Sequence, residues 1–268
     1  MCLPALDEAP TIGAMVRILD ALRSDGVIDE VLVLDGGSRD ETVAEAARAG
    51  AEVFGWRDMR PELGPTLGKG DSMWRALQLA HGEIVCFFDA DLVSFDGTYV
   101  TRLLAPLLAD ERVSFVKSTF ERPLRLPGAP PGRRQGGRVT ERVGRPLLTL
   151  LYPELAGFRQ PLSGQIAARR GLLEGLAFPA GYGVDAALLI DALRIVGLAG
   201  MAQADLGELL TVHQAAGALE RMAGEVAGTI LSRAARDGVA VAPEARRFAV
   251  PQAPATERPA LVQGVRAG

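Results

Sequence analysis

Over residues 1–120 the chain alternates between short aliphatic runs and segments whose apolar residues recur at helical spacing. This alternation restricts it to an α/β fold, a mostly parallel sheet with crossover helices. Residues 1–5 read as the stub of a first strand. Pro10 and Thr11 then lead into Ile12, Met15, Val16 and Leu19, one face of a helix. Val31 to Leu34 form a second strand that stops at Asp35-Gly36-Gly37. A helix over 42–49 and a strand near 51–54 follow. After a Gly- and Pro-rich loop over 56–70, the pattern predicts a helix over 71–80 headed by Asp71 and Ser72, a strand over 84–88, a helix near 98–108 and a strand over 113–120.

The second half is less regular. Residues 121–137 hold four prolines and four arginines and read as a loop. A helix over 138–151, a short strand and helix within 157–176, a strong helix from 184 to 196, a strand at 201–209 and a helix over 216–236 follow. The prolines and missing helical period of 241–268 predict an arm or tail, disordered unless it packs on a partner. The chain thus divides into 1–120, 121–240 and 241–268. Two of its parts are halves of one domain, consistent with 268 residues.

A net charge of −4 gives no general attraction for nucleic acid, so an anionic ligand must be held by a local cluster. Two cysteines, Cys2 and Cys86, are no disulfide framework and fit buried thiols in a reducing cytoplasm. No apolar run approaches the roughly 18–20 residues of a membrane span, and the start lacks a signal-peptide pattern.

Four constellations carry chemistry. In FFDADL, Asp89 and Asp91 follow a buried strand, at the end where α/β sheets bind ligands. Hard carboxylate oxygens suit Mg²⁺ or Mn²⁺ shared with a phosphate, although Asp91 in that position also suits a helix cap. LPALDE (3–8) and DGGSRD (35–40) end neighbouring strands, with glycines that admit a ligand to the backbone. Lys69, between Gly68 and Gly70 ahead of a helix, is a phosphate clamp or a surface lysine. It lacks P-loop spacing. In GGRVTE, Arg138 and Thr140 at a helix start form an anion cradle. Together they fit transfer from an activated phosphate donor to an anionic acceptor.

The segments PALDE, VLDGGSRDET, GKGDSMWRAL, FFDADL, GGRVTERVGRPLL, PELAGFRQPLSGQ and GYGVDAALLID resemble, in order over roughly residues 2–235, the glucosyl-3-phosphoglycerate synthases and their mannosyl relatives. These are retaining glycosyltransferases of the GT-A fold, a Rossmann-like nucleotide-diphospho-sugar transferase fold. The resemblance implies a UDP-glucose donor (GDP-mannose in some relatives), a 3-phospho-D-glycerate acceptor, Mg²⁺ or Mn²⁺, and a homodimer, while the cysteine usage and the missing signal and membrane patterns predict a cytoplasmic protein. Carried over by position, Pro4, Leu6, Asp7 and Glu8 hold the nucleotide base. Gly37 and Ser38 lie near base and ribose, Lys69 near the phosphates, and Asp89 and Ala90 against the nucleotide sugar. Asp91 takes the metal. Gly137, Arg138, Thr140 and Tyr182 bind the acceptor, Asp185 touches the transferred sugar, and Leu162 offers its carbonyl near the anomeric carbon. Lys69, Asp91, Leu162 and Asp185 are the implied catalytic set.

Two departures mark this chain. Relatives carry a metal-binding histidine in a run like LGxRxHR, where this chain has DLGELLTVHQ. Without a gap, Thr211 takes the histidine position and Leu209 that of an acceptor-binding arginine. A two-residue slip brings His213 to the metal; without it the metal site is weakened, and the chain becomes a degenerate sugar-nucleotide-binding protein. His81 reads as structural. The start is also short, which predicts a half-missing first strand and a loosened nucleotide site.

Overall fold

The structure, a computed structural model, describes residues 1–124, 132–135, 137–211, 216–239 and 256–262. In chain order the elements are β1 (Cys2–Ala5), α1 (Ala9–Ser24), β2 (Leu32–Asp35), α2 (Thr42–Arg48), β3 (Glu52–Phe54), α3 (Lys69–Ala76), β4 (Ile84–Phe87), α4 (Gly97–Ala109) and β5 (Phe115–Glu121). Then come β6 (Pro123–Leu124), β7 (Gly132–Gln135), α5 (Arg145–Leu151), β8 (Ile166–Arg169), α6 (Arg170–Glu174), β9 (Phe178–Pro179), α7 (Val184–Val196), β10 (Met201–Glu208), α8 (Ala216–Arg236) and β11 (Glu257–Arg258).

Seven strands form one sheet in the order β10-β5-β8-β4-β1-β2-β3. β8 runs antiparallel between β4 and β5, and every other pairing is parallel. Because β4 and β5 both oppose β8, their carboxyl ends share one edge with those of β1 and β2. Side chains alternate across the pleat. Val85 and Phe87 face a core built with Trp74, Leu188, Leu189 and Ile230, whereas Cys86 and Phe88 face one built with Ile12, Met15, Tyr99 and Leu103. Both faces of the sheet are therefore covered, which is why its strands read as unbroken apolar runs.

The first strand, expected to be half-missing, has four residues. β1 pairs with β2 over all four of its residues, Cys2↔Leu32 to Ala5↔Asp35. Cys2 and Cys86 are free and buried, their thiols pushed up to about 11 and about 12 by burial. Three expectations need correction. α3 begins at Lys69, two residues early, because Asp71 is a buried ion-pair partner inside the first turn and not a cap. The helix expected over 138–151 opens with a π-helical turn, Thr140–Gly144, before α5. Within 121–137, β6 and β7 pair as an antiparallel ribbon.

The last segment also differs from an isolated tail. β11 pairs antiparallel with β9, the Thr256 carbonyl accepts from Ala180 N–H at 2.8 Å, and the Pro259 carbonyl accepts from the Trp74 indole at 2.8 Å. Residues 256–262 thus pack on their own chain.

Candidate active site

The loops after β1 and β2 interlock. The Asp35 carboxylate accepts from Gly37 and Ser38 N–H, both at 3.1 Å, closing a turn in which Gly37 sits at φ +102°. The Ser38 hydroxyl accepts from Asp7 N–H at 2.9 Å, and the Asp7 carboxylate accepts from Arg39 N–H at 2.7 Å. Asp35 thus pins its own turn, each carboxylate oxygen accepting one backbone N–H. Pro4 lies within β1, paired with Leu34, and Leu6 is 56% exposed beside Gly36. The structure thus brings together Pro4, Leu6, Asp7, Glu8, Gly37 and Ser38, with an apolar side chain open to a flat ligand.

A second convergence sits one strand over. Lys69 Nζ lies 2.7 Å from Asp89 Oδ1 and 2.9 Å from Asp185 Oδ2. Burial works against the Lys69 ammonium, but the two carboxylates outweigh it and raise its pKa. Burial likewise opposes ionisation of Asp89. Lys69, Arg122 and a 3.1 Å hydrogen bond from Gln165 Nε2 outweigh it and hold Asp89 low. Gln165 is positioned in turn by Ser163, whose hydroxyl donates to Gln165 Oε1 at 2.8 Å and meets the Ser118 hydroxyl. Gly164 is obligatory between them, since a Cβ there would stand 2.2 Å from the Asp89 carboxylate. Of the two acids in the trio, Asp185 is the raised one, through burial above all.

Asp91 is not a helix cap. α4 is capped by Asp96, which accepts from Thr98 N–H at 2.7 Å. Asp91 Oδ1 is buried with no hydrogen-bond partner, and burial followed by the Asp89 charge pushes the carboxyl up to about 6. Glu8, half-buried, goes to about 7 through burial, then Asp91 and Asp89. A buried, unpaired carboxylate oxygen beside two more acids is where a divalent cation fits. Among the described residues no three His, Cys, Asp or Glu side chains form a metal cage by themselves. Mg²⁺ is commonly held by one or two carboxylates together with substrate phosphate oxygens. Ala90, buried between the two aspartates, fixes their loop by accepting from Thr11 Oγ1 at 2.6 Å.

The remaining expected residues are less tightly gathered. Tyr182 is 39% exposed, its N–H held by Glu225 Oε2 at 2.7 Å. Burial raises its phenol, and the charges of Lys69, Asp89 and Asp91 also act on it. Gly137 has φ +93°, Thr140 is buried and Arg138 exposed. Among the described residues no hydrogen bond joins this turn to the Lys69 cluster. Leu162 packs on Gly144, where a Cβ would meet it at 2.7 Å. Thr211 forms a bridge with Leu92, next to Asp91, so the position aligned with the relatives' histidine is at the cluster but carries a hydroxyl. His213 lies outside the described residues. Leu209 is fully buried and presents nothing to an acceptor. His81 makes a 2.7 Å surface contact with Glu30.

Two residues here have no place in the sequence reading. Lys117, 0% exposed, donates to the Asp185 carbonyl at 3.0 Å, and burial lowers its pKa to about 8. A lysine inside the apolar run of β5 was the available signal. Gln165 closes the quoted motif PLSGQ, but its aim at Asp89 needs the antiparallel placement of β8.

A family model, glycosyl transferase family 2, matches residues 1–165. The glucosyl-3-phosphoglycerate synthase of Mycolicibacterium smegmatis is 43% identical over 231 residues, 86% of this chain and 76% of that one. The chain belongs to the glucosyl-3-phosphoglycerate synthase family of glycosyltransferases. The Mycobacterium tuberculosis synthase in complex with Mn²⁺, UDP-glucose and phosphoglyceric acid superposes with a TM-score of 0.80 at 40% identity, covering 90% of this chain and 80% of that chain. The same enzyme with Mg²⁺ and UDP also gives 0.80 at 40% identity, over 90% of this chain and 79% of that chain. The family's fold is the GT-A-like sheet described above, and the chain is an enzyme of this class. Among the described residues no helix is long and apolar enough to cross a membrane.

Proposed function

We propose that this enzyme moves glucose from UDP-glucose to 3-phospho-D-glycerate with retention, giving glucosyl-3-phosphoglycerate. The observation that carries the reading is the junction of Lys69, Asp89 and Asp185 beside the orphaned Asp91 oxygen, at the carboxyl edge of a family 2 sheet. Residues 1–120 supply the donor side. Pro4, Leu6, Asp7, Glu8, Gly37 and Ser38 take the nucleoside, and Lys69, Asp89 and Ala90 the diphospho-sugar. Residues 121–240 supply Gly137, Arg138, Thr140 and Tyr182 for the acceptor, with 241–268 as an arm. Asp91, and His213 if its loop reaches, hold Mg²⁺ or Mn²⁺. When bound, the ion neutralises charge on the departing diphosphate.

Lys69 offers the leaving phosphate a preorganised positive charge, and Asp185 fixes the sugar by hydrogen bonding. The bond from the anomeric carbon to the phosphate oxygen breaks as one to the acceptor hydroxyl oxygen forms. The hydroxyl proton passes to the leaving phosphate, so that the step requires no separate base. The Leu162 carbonyl stabilises the transient positive anomeric carbon. The reading includes a cytoplasmic homodimer, which light scattering on purified protein checks.

The test is a donor-by-acceptor assay with UDP-glucose or GDP-mannose, 3-phosphoglycerate, and Mn²⁺ or chelator. Metal-dependent product from UDP-glucose is expected. Product from GDP-mannose alone would move the enzyme to the mannosyl branch, and nucleotide binding with no turnover would reduce it to a binding protein.

A further inference from the structure

Immediately after β5 the chain places a cation that none of the motifs used. The Arg122 guanidinium lies over the Phe120 ring, 5.1 Å from its centroid, and its Nε is buried with no hydrogen-bond partner. Its backbone position is fixed from two sides. Gln160 Nε2 donates to the Phe120 carbonyl at 3.2 Å, and Leu209 N–H donates to the Glu121 carbonyl at 2.9 Å. Since β4 and β5 run the same way on either side of β8, Arg122 and the Asp89–Asp91 loop leave the sheet at the same edge. The Arg122 charge bears on both aspartates and favours their ionised forms. It nonetheless forms no ion pair with either, nor with any other described residue.

The two lysines nearest the aspartates are engaged. Lys69 is held by Asp89 and Asp185, and Lys117 by the Asp185 carbonyl. A guanidinium fork with a desolvated, unused donor matches a planar or tetrahedral oxyanion. The ring beneath it fixes the fork before any ligand arrives. We propose that Arg122 is a substrate-binding residue that grips an oxyanion, either the donor's diphosphate or the acceptor's phosphate or carboxylate. This rests on the transfer reading above. In a chain where Leu209 is buried and apolar, it supplies a positive contact from the neighbouring strand.

Arg122→Gln and Arg122→Lys separate the two sources. UDP affinity in the presence of Mn²⁺ is measured calorimetrically without acceptor, and KM for 3-phosphoglycerate is measured at saturating donor. A donor role weakens UDP binding about 10- to 100-fold in the glutamine variant. An acceptor role raises KM for 3-phosphoglycerate by the same factor with UDP affinity unchanged. Lysine, keeping the charge but not the fork, recovers part of the loss in either case. Both constants staying within twofold of wild type in both variants overturns the proposal, even if the melting temperature falls, because that outcome leaves Arg122 only a stacking role on Phe120. A wild-type enzyme that binds UDP but gives no product refutes the transfer reading instead, and the UDP measurement still reports on Arg122.

Discussion

Two buried ionic trios stand two residues apart on α3, and they are built to opposite ends. In one, the Asp71 carboxylate receives Arg75 Nε and Nη2 at 3.1 Å each, Arg258 Nε at 2.7 Å and Nη2 at 3.2 Å, and Leu67 N–H at 3.0 Å. Its lone pairs are used up. In the other, Lys69 holds Asp89 and Asp185, yet Asp185 Oδ1 has no partner, and neither does Asp91 Oδ1 close by. Satisfied buried polar networks rigidify a fold, whereas unsatisfied ones cost stability and persist where something binds. The pair of trios therefore separates what holds α3 in place from what α3 is there to present.

Substitutions should split the trios cleanly. Asp71→Ala leaves the buried Arg75 and the partly buried Arg258 without their carboxylate and is expected to cost about 3–5 kcal/mol of stability, read by urea denaturation, with kinetics little changed in whatever remains folded. A comparable loss of stability from Asp91→Asn would erase the distinction. That variant is expected to lower kcat by about 10²–10³ while its melting temperature above pH 7 equals or exceeds wild type, since it removes a carboxylate that burial disfavours. Gln165→Leu takes one hydrogen bond from Asp89 and should lower kcat about tenfold, with a net stability change of about 1 kcal/mol.

The smallest effect is in pH. Asp91 and Glu8 titrate near 6 and 7 in the folded state, above their unfolded values near 4. Between those limits the folded state binds more protons. Stability contributed by these groups is therefore present at low pH and lost as pH rises to about 7. The metal-free protein should show that decline in thermal melts, and Asp91→Asn should flatten it. An unchanged slope would mean that Asp91 is not the strained member.

Much of the scaffold was legible because it is local. The aliphatic runs and the 3.6-residue spacing of residues 1–120 mark β1 to β5 and α1 to α4, and the acidic pair stands where a strand runs out. What escaped the sequence is long-range pairing. β8 carries an apolar run like any other strand, and nothing local says that it enters the sheet antiparallel between β4 and β5, bringing Gln165 onto Asp89. Lys117 was visible as an oddity in a strand, but its acceptor on α7 was not. Arg122 lay in what read as a proline-rich loop. The Asp96 cap of α4, five residues past Asp91, was readable and would have freed Asp91 from that role from the start.

The strap formed by residues 256–262 has a consequence for how the enzyme is made. Asp71 meets Arg258 across 187 positions of sequence, and Trp74 meets Pro259 across 185. Chains emerge from the ribosome amino end first. The helix that carries Lys69 thus appears long before the segment that completes its packing. Its order of synthesis and its order of completion run in opposite directions, and the closing stitch is sewn by residues 187 positions further along the chain.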